Sequence, residues 1–135
     1  MGRDYPAWTA LIEARSAFGF GYGREPQTQD CVRFAAAAVQ ALTGRDPLAG
    51  ISARWSTARG ARRVLRRLGG LGAGVDRVLR PVPLAMARRG DVALVRIGGA
   101  ESLMVIEGDT LVGPAESRGL QRLARASAAR AWSAD

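Results

Sequence analysis

The sequence contains no histidine and no lysine, and its only cysteine is Cys31. One cysteine cannot form an internal disulfide, and no spacing typical of metal ligands is present, so we expect neither a metal nor another cofactor. No apolar run reaches the roughly 20 residues of a membrane span. The N-terminus, Met1–Pro6, is polar and lacks the apolar core of a signal peptide. The sequence therefore predicts a protein made in the bacterial cytoplasm, with no signal peptide, no transmembrane segment and no membrane partner.

All 20 cationic residues are arginines, against 12 acidic residues, which gives a net charge of +8. Because alanine and glycine are also abundant, codon bias in a GC-rich genome explains part of this excess. Aromatic residues make up only 6% of the chain and do not alternate with the arginines, so no platform for stacking single-stranded bases is visible. The arginines are scattered, and the sequence favours solvated helix surfaces over a nucleic-acid-binding face. The most basic segment is residues 58–68, which include Arg62, Arg63, Arg66 and Arg67.

The 135 residues are typical of one domain, so we expect a single domain over residues 1–135. Its N-terminal half predicts helices over residues 4–17, 31–43 and 58–68. Asp30 is a suitable N-cap for the second helix, and Gly44 is a natural stop. Between them, residues 18–29 predict an ordered loop, and the glycines of residues 69–74 predict a break in regular structure.

From Asp91 onward the pattern changes to strands over residues 92–97, 102–106 and 110–114, separated by Gly-containing turns. These strands predict an antiparallel meander. The weak amphipathicity of residues 120–132 indicates a final helix. Helices followed by a meander predict an α+β fold, with the N-terminal helices packed on the C-terminal β-meander.

Cys31 at a helix start is where a thiolate is favoured, because the unpaired amides and the helix dipole stabilise negative charge. The pair Asp30-Cys31, followed later by Gly90-Asp91 and an apolar strand, resembles the NlpC/P60 superfamily of papain-like cysteine peptidases. More narrowly, the chain resembles small phage and prophage tail-associated proteins related to that superfamily. The order of the short motifs carries this resemblance, which spans residues 8–132. The matching stretches are Gly21-Tyr22-Gly23, Asp30-Cys31, Leu42 to Pro47, and Pro81 to Asp91.

The resemblance implies a papain-like NlpC/P60 fold with Cys31 at the position of the nucleophile. It also implies a histidine at the start of the second meander strand and an orienting polar residue on the third strand. This chain has Ser102 at the first of these positions and Gly113 at the second. Gln29, before the Asp-Cys pair, cannot act as a base at neutral pH. Both partners of Cys31 are therefore missing, and a vestigial nucleophile is expected.

Three functions stay open on the sequence. The first is a non-catalytic structural component of a phage or phage-derived tail, in its tip or baseplate region, located in the virion and bound to other tail proteins. Trp55, Trp132 and the loop 18–22 are candidate contacts for such partners. The second is an active cysteine peptidase or amidase that cleaves peptidoglycan stem peptides with Cys31. The third is a nucleic-acid-binding accessory protein that uses residues 58–68, although nucleic acid is the less expected partner.

Overall fold

The computed structural model describes residues 2–23, 25–49 and 55–135. Within these ranges the chain forms helices first and most of its strands afterwards, with short 3-10 turns at Leu84–Met86 and Arg125–Ser127. Among the described helices, none combines the length and the apolar character needed to cross a membrane. The elements are α1 (Tyr5–Arg15), β1 (Gly19–Phe20), β2 (Thr28–Gln29), α2 (Cys31–Thr43), α3 (Ala58–Leu68), α4 (Leu71–Asp76), β3 (Arg80–Val82), β4 (Val92–Ile97), β5 (Ala100–Ile106), β6 (Thr110–Pro114), β7 (Leu120–Ala124) and β8 (Arg130–Ser133).

The main sheet has the strand order β3-β8-β4-β5-β6-β7, and every pairing in it is antiparallel. Helix α2 packs against β5 and β6, and α1 packs against α2. The larger apolar cluster lies between the helices and the sheet and includes Trp8, Phe34, Leu42 and Trp132. A second cluster covers the opposite face of the sheet around Met104. Along β5, Leu103 and Val105 belong to the larger cluster, and Met104 and Ile106 belong to the second. This follows from the two-residue period of a strand, whose successive side chains point to opposite faces of the sheet.

Helix α2 has the bounds that the sequence predicts. Asp30 has extended backbone geometry and accepts a hydrogen bond from the backbone N–H of Arg33 at 2.9 Å. Gly44 ends the helix in the left-handed conformation, with φ of 82°, which glycine adopts without a steric penalty. Small residues such as Ala35 and Ala38 are buried along one side of α2, so the helix approaches the sheet closely. Cys31 is thereby fixed at the first helical position, next to β5.

The predicted helix over residues 120–132 is wrong. These residues form β7, which pairs with β6, and β8, which pairs with both β3 and β4. Together with β3, which the sequence pattern did not predict, they extend the three-strand meander to six strands. A short segment of mixed polarity fits either period, and pairing with strands already in the sheet decides the outcome here.

The prediction of a break in regular structure over residues 69–74 is only partly correct, because α4 begins within this segment at Leu71. The chain reverses at Gly69 and Gly70, whose φ angles are 92° and 115°, and then resumes as α4. Leu71 and Val75 are buried in the main cluster. Their burial offsets the poor helix propensity of the glycines in this short helix.

The loop predicted over residues 18–29 contains a short parallel pair, β1 and β2. Backbone hydrogen bonds from Gly19 to Gln27 and from Gly21 to Gln29 hold the pair together. This ordered segment leads directly into Asp30 and so positions the start of α2.

Candidate functional site

Cys31 lies where α2 meets β5. Its thiol faces the side chain of Ser102 and the backbone of Leu103, on the part of β5 that precedes the pairing of Val105 and Ile106 with β6. The structure therefore brings together Cys31 and Ser102, two of the three residues that the sequence analysis assigned to one site.

Burial raises the pKa of the Cys31 thiol above its ordinary value. The Leu103 backbone and the Ser102 side chain favour the thiolate but do not overcome burial, and the charge of Asp30 also opposes ionisation. Since an ordinary cysteine has a pKa of about 8.5, a raised pKa favours the neutral thiol of Cys31 at pH 7. A neutral thiol is a poor nucleophile, because the thiolate is the reactive form.

Asp30 is fully buried and its carboxylate is occupied by three donors. Besides the N–H of Arg33, it accepts hydrogen bonds from Trp55 Nε1 at 2.8 Å and Arg33 Nη1 at 3.3 Å. The Arg33 guanidinium also donates to the carbonyl oxygens of Tyr22 (2.7 Å) and Trp55, and it lies 4.7 Å from the centre of the Trp55 ring. Asp30 therefore fixes the helix end and the neighbouring loop instead of serving as a base for Cys31.

Gln29 has a similar anchoring role. Its side chain is buried, accepts a hydrogen bond from Arg15 Nη1 at 3.1 Å and donates to the Arg15 carbonyl oxygen at 3.4 Å. These bonds tie the end of α1 to the start of α2. The position before the Asp-Cys pair is therefore structural.

Ser102 lies on β5 opposite Val95 and is partly buried. Its hydroxyl can donate or accept a hydrogen bond, but it cannot take a proton from a thiol at neutral pH. The neighbouring Glu101 is exposed and pairs with Arg96 at 3.5 Å. Its carboxylate is therefore engaged on the surface of the hairpin.

Gly113 lies on β6 opposite Gln121 and packs closely against β5. A Cβ atom at this position would lie 3.0 Å from Met104 Cγ and 3.2 Å from the Leu103 carbonyl oxygen. A polar side chain that orients a base therefore has no room here unless β5 shifts.

Tyr22 is a neighbour of the site that the sequence analysis placed in a loop and in a motif, but not beside Cys31. Burial raises the pKa of its phenol, and Arg62 of α3 opposes this increase. The negative charges of Cys31, once it is ionised at high pH, and of Asp30 raise the pKa further. The motif Gly21-Tyr22-Gly23, which precedes the Asp-Cys pair, marked this segment in the sequence. The motif did not predict that Tyr22 lies near Cys31.

Trp55 and Trp132 are candidate partner contacts on the sequence, although each is individually more typical of a core residue, and the structure buries them at 7% and 0% exposure. Their indole N–H groups donate to Asp30 and Asp76, respectively, at 2.8 Å, so both side chains serve the interior. The loop 18–22 is only partly buried. Across the described part of the chain, no cluster of three or more metal-ligating side chains occurs.

A family model described as "Domain of unknown function (DUF6950)" matches residues 4–134. The chain belongs to this family. Among curated proteins, none matches the chain significantly. Among solved structures, the chain is similar to the NlpC/p60 domain of the peptidoglycan hydrolase SagA, with 15% sequence identity and a TM-score of 0.60. The similarity covers 96% of this chain and 98% of that domain.

This similarity over nearly the whole chain shows that this DUF6950 protein has the papain-like NlpC/P60 fold that the sequence predicts. The Asp-Cys pair at the start of a central helix packed on an antiparallel sheet agrees with a cysteine-peptidase-like framework. The chemistry of this member depends on its own residues at the site, because fold alone does not determine activity.

Proposed function

We propose that the protein is a catalytically inactive NlpC/P60-like domain that serves as a structural component of a phage or phage-derived tail, in its tip or baseplate region. The observation that carries the inactivity is the environment of Cys31: a partly buried thiol that faces Ser102, in a chain with no histidine. The tail location rests on the resemblance of the ordered sequence motifs to small tail-associated proteins.

Amide cleavage by a thiol needs a group that accepts the thiol proton and returns it to the leaving amine. General acid–base help of this kind contributes about 10²–10⁴-fold to the rate. The chain has no histidine, and the buried carboxylate beside Cys31 is already occupied by Arg33 and Trp55. This arrangement supports a retained framework without the hydrolytic reaction.

A tail component needs a surface that binds other proteins. Large apolar side chains are exposed at Leu84 (44%) and Met86 (71%). Leu84 lines an open groove of about 400 Å³ on the sheet face away from α2, together with Ala87, Ile106 and Ala128. Met86 lies in the same 3-10 turn as Leu84. Because Leu84 and Met86 are exposed side by side, they are candidates for a contact with another protein. This surface replaces the two buried tryptophans as the candidate contact with tail proteins.

An active peptidase that cleaves peptidoglycan stem peptides is the second candidate. The position of Cys31 at the first residue of α2 favours it, because unpaired helix amides stabilise a thiolate. This activity requires a base from outside the described site, for example from a partner chain.

One experiment separates the two candidates. Purified wild-type protein and Cys31→Ala are incubated with peptidoglycan and stem peptides, and the products are identified by mass spectrometry. We expect no cleavage by either protein. In parallel, particles carrying Cys31→Ala should contain the protein in their purified tails and should assemble and infect as wild type does.

Cleavage by the wild type that is lost in Cys31→Ala would overturn the inactive assignment. Absence of the protein from purified tails would overturn the tail assignment, whatever the result of the cleavage assay.

A further inference from the structure

Four arginines converge on the exposed face of α3. Arg59, Arg62, Arg63 and Arg66 are spaced i, i+3, i+4 and i+7, which places them on one side of a helix. All four are exposed, and their side chains line one open cleft of about 270 Å³. Although the arginines are scattered along the sequence as a whole, the fold gathers these four into a single cationic surface, here called the α3 arginine face.

No carboxylate neutralises this surface from its own segment, since the sequence has no Asp or Glu between Pro47 and Val75. Within the described residues, the ion pairs of the protein involve other arginines. Like charges at i and i+4, as in Arg59–Arg63 and Arg62–Arg66, destabilise a helix. The helix dipole compensates cations only in the last turn, so it favours Arg66 but not the other three. An external anion would relieve this repulsion.

The apolar side of α3 is already used inside the protein. Ala61 is buried, and Val64, Leu65 and Leu68 line an apolar cavity of about 60 Å³ together with residues of α2 and α4. A helix that lies in a membrane surface inserts its apolar face among the acyl chains. Since the apolar side of α3 packs toward α2 and α4 and its exposed side is charged, we expect its partner to be a polyanion and not the interior of a lipid leaflet.

We propose that the α3 arginine face binds the phosphate backbone of duplex nucleic acid without sequence specificity. From Arg59 to Arg66 the helix rises about 10 Å, a length over which a duplex presents about six phosphate charges. Guanidinium groups bind phosphate oxygens in pairs of hydrogen bonds. No aromatic residue lies on α3, so the surface suits a duplex backbone and not stacked single-stranded bases.

The test is fluorescence anisotropy with a labelled duplex of random sequence, from 50 to 200 mM NaCl. Four phosphate contacts predict a slope of log K against log [NaCl] of about −3.6, which corresponds to a roughly 150-fold loss of affinity over this range. Replacing Arg59, Arg62, Arg63 and Arg66 with Gln should remove this component of binding. Each single change, such as Arg62→Gln, should make the slope shallower by about 0.9.

A matched control changes the net charge equally on other exposed arginines, namely Arg45, Arg77, Arg80 and Arg96. It should change the slope far less, and thermal melting should show that both variants fold. If the two quadruple variants lost duplex affinity equally, binding would depend on net charge alone, and the proposal would be overturned. Absence of duplex binding at 50 mM NaCl would also overturn it, as would binding to phosphatidylglycerol vesicles without binding to the duplex.

Discussion

Two effects act on Cys31 in opposite directions. The start of α2 favours the thiolate, because the first amides of a helix lack backbone partners. Enclosure of the thiol by protein and the nearby charge of Asp30 favour the neutral form, and the pKa is raised overall. The position typical of a nucleophile is thus combined with surroundings typical of a structural cysteine, which behaves as a small apolar side chain.

The reactivity of Cys31 should therefore increase only at high pH. We expect alkylation by iodoacetamide to be slow at pH 7 and to rise with an apparent pKa above about 8.5, the value of a free cysteine. The same protein unfolded in urea supplies the reference. Because the folded-state pKa is raised, the thiol contributes no pH dependence below the unfolded value, and stability falls as the pH rises past it. An apparent pKa below that of the unfolded chain would contradict this account.

At the level of elements, the sequence predicted the bounds of those helices whose ends are fixed by capping residues close to them in the chain. Asp30 and Gly44 bound α2, and Thr57 and Gly69 bound α3, because caps act over three or four residues. Elements fixed by distant partners were missed. Strands β7 and β8 depend on pairing with β6 and β4, and α4 depends on the burial of Leu71 and Val75.

The candidate site divides in the same way. Cys31 at the helix start and Ser102 on the second meander strand followed from local pattern and motif order. The approach of Tyr22 to Cys31 depends on how the loop before α2 folds back. The network of Asp30, Arg33 and Trp55 depends on a contact over 25 residues, from Trp55 Nε1 to Asp30. The sequence favours a core position for Trp55, but its local pattern does not identify Asp30 as the hydrogen-bond partner.

The two caps predict different costs on substitution. Asp30→Ala removes a buried carboxylate that also accepts from Trp55 and Arg33, so we expect a loss of about 2–4 kcal/mol in the free energy of unfolding. Thr57→Ala removes an exposed cap, whose Oγ1 accepts from the Gly60 N–H at 3.0 Å, and should cost about 1 kcal/mol. Urea unfolding of both variants measures the difference. Equal losses would show that the buried network adds nothing beyond the cap.

Across the whole molecule, the N-terminal Arg3 and the backbone of Ala134 both bind the buried carboxylate of Asp91. Arg3 donates to Asp91 Oδ1 at 2.7 Å and to Asp135, and Asp91 also accepts from the backbone N–H groups of Arg88 and Ala134. Burial opposes the charge on Arg3, but its hydrogen bonds to Asp135 and Asp91 raise the pKa of the guanidinium overall. The Gly90-Asp91 pair that contributed to the family resemblance thus has a structural role in this chain, as the anchor that joins the N-terminal segment to β8.

Breaking this anchor should destabilise the whole fold. The side chains of Arg3 and Asp91 are only 5% and 3% exposed, so Arg3→Ala leaves a buried carboxylate without its cationic partner. We expect a cost of about 3–5 kcal/mol, a large part of the stability of a typical domain. The control is Arg88→Ala, which removes an exposed pair with Asp135 and should cost at most about 1 kcal/mol. Thermal or urea unfolding of the two variants measures these losses. A small loss for Arg3→Ala would mean that the backbone donors to Asp91 suffice to keep its charge buried.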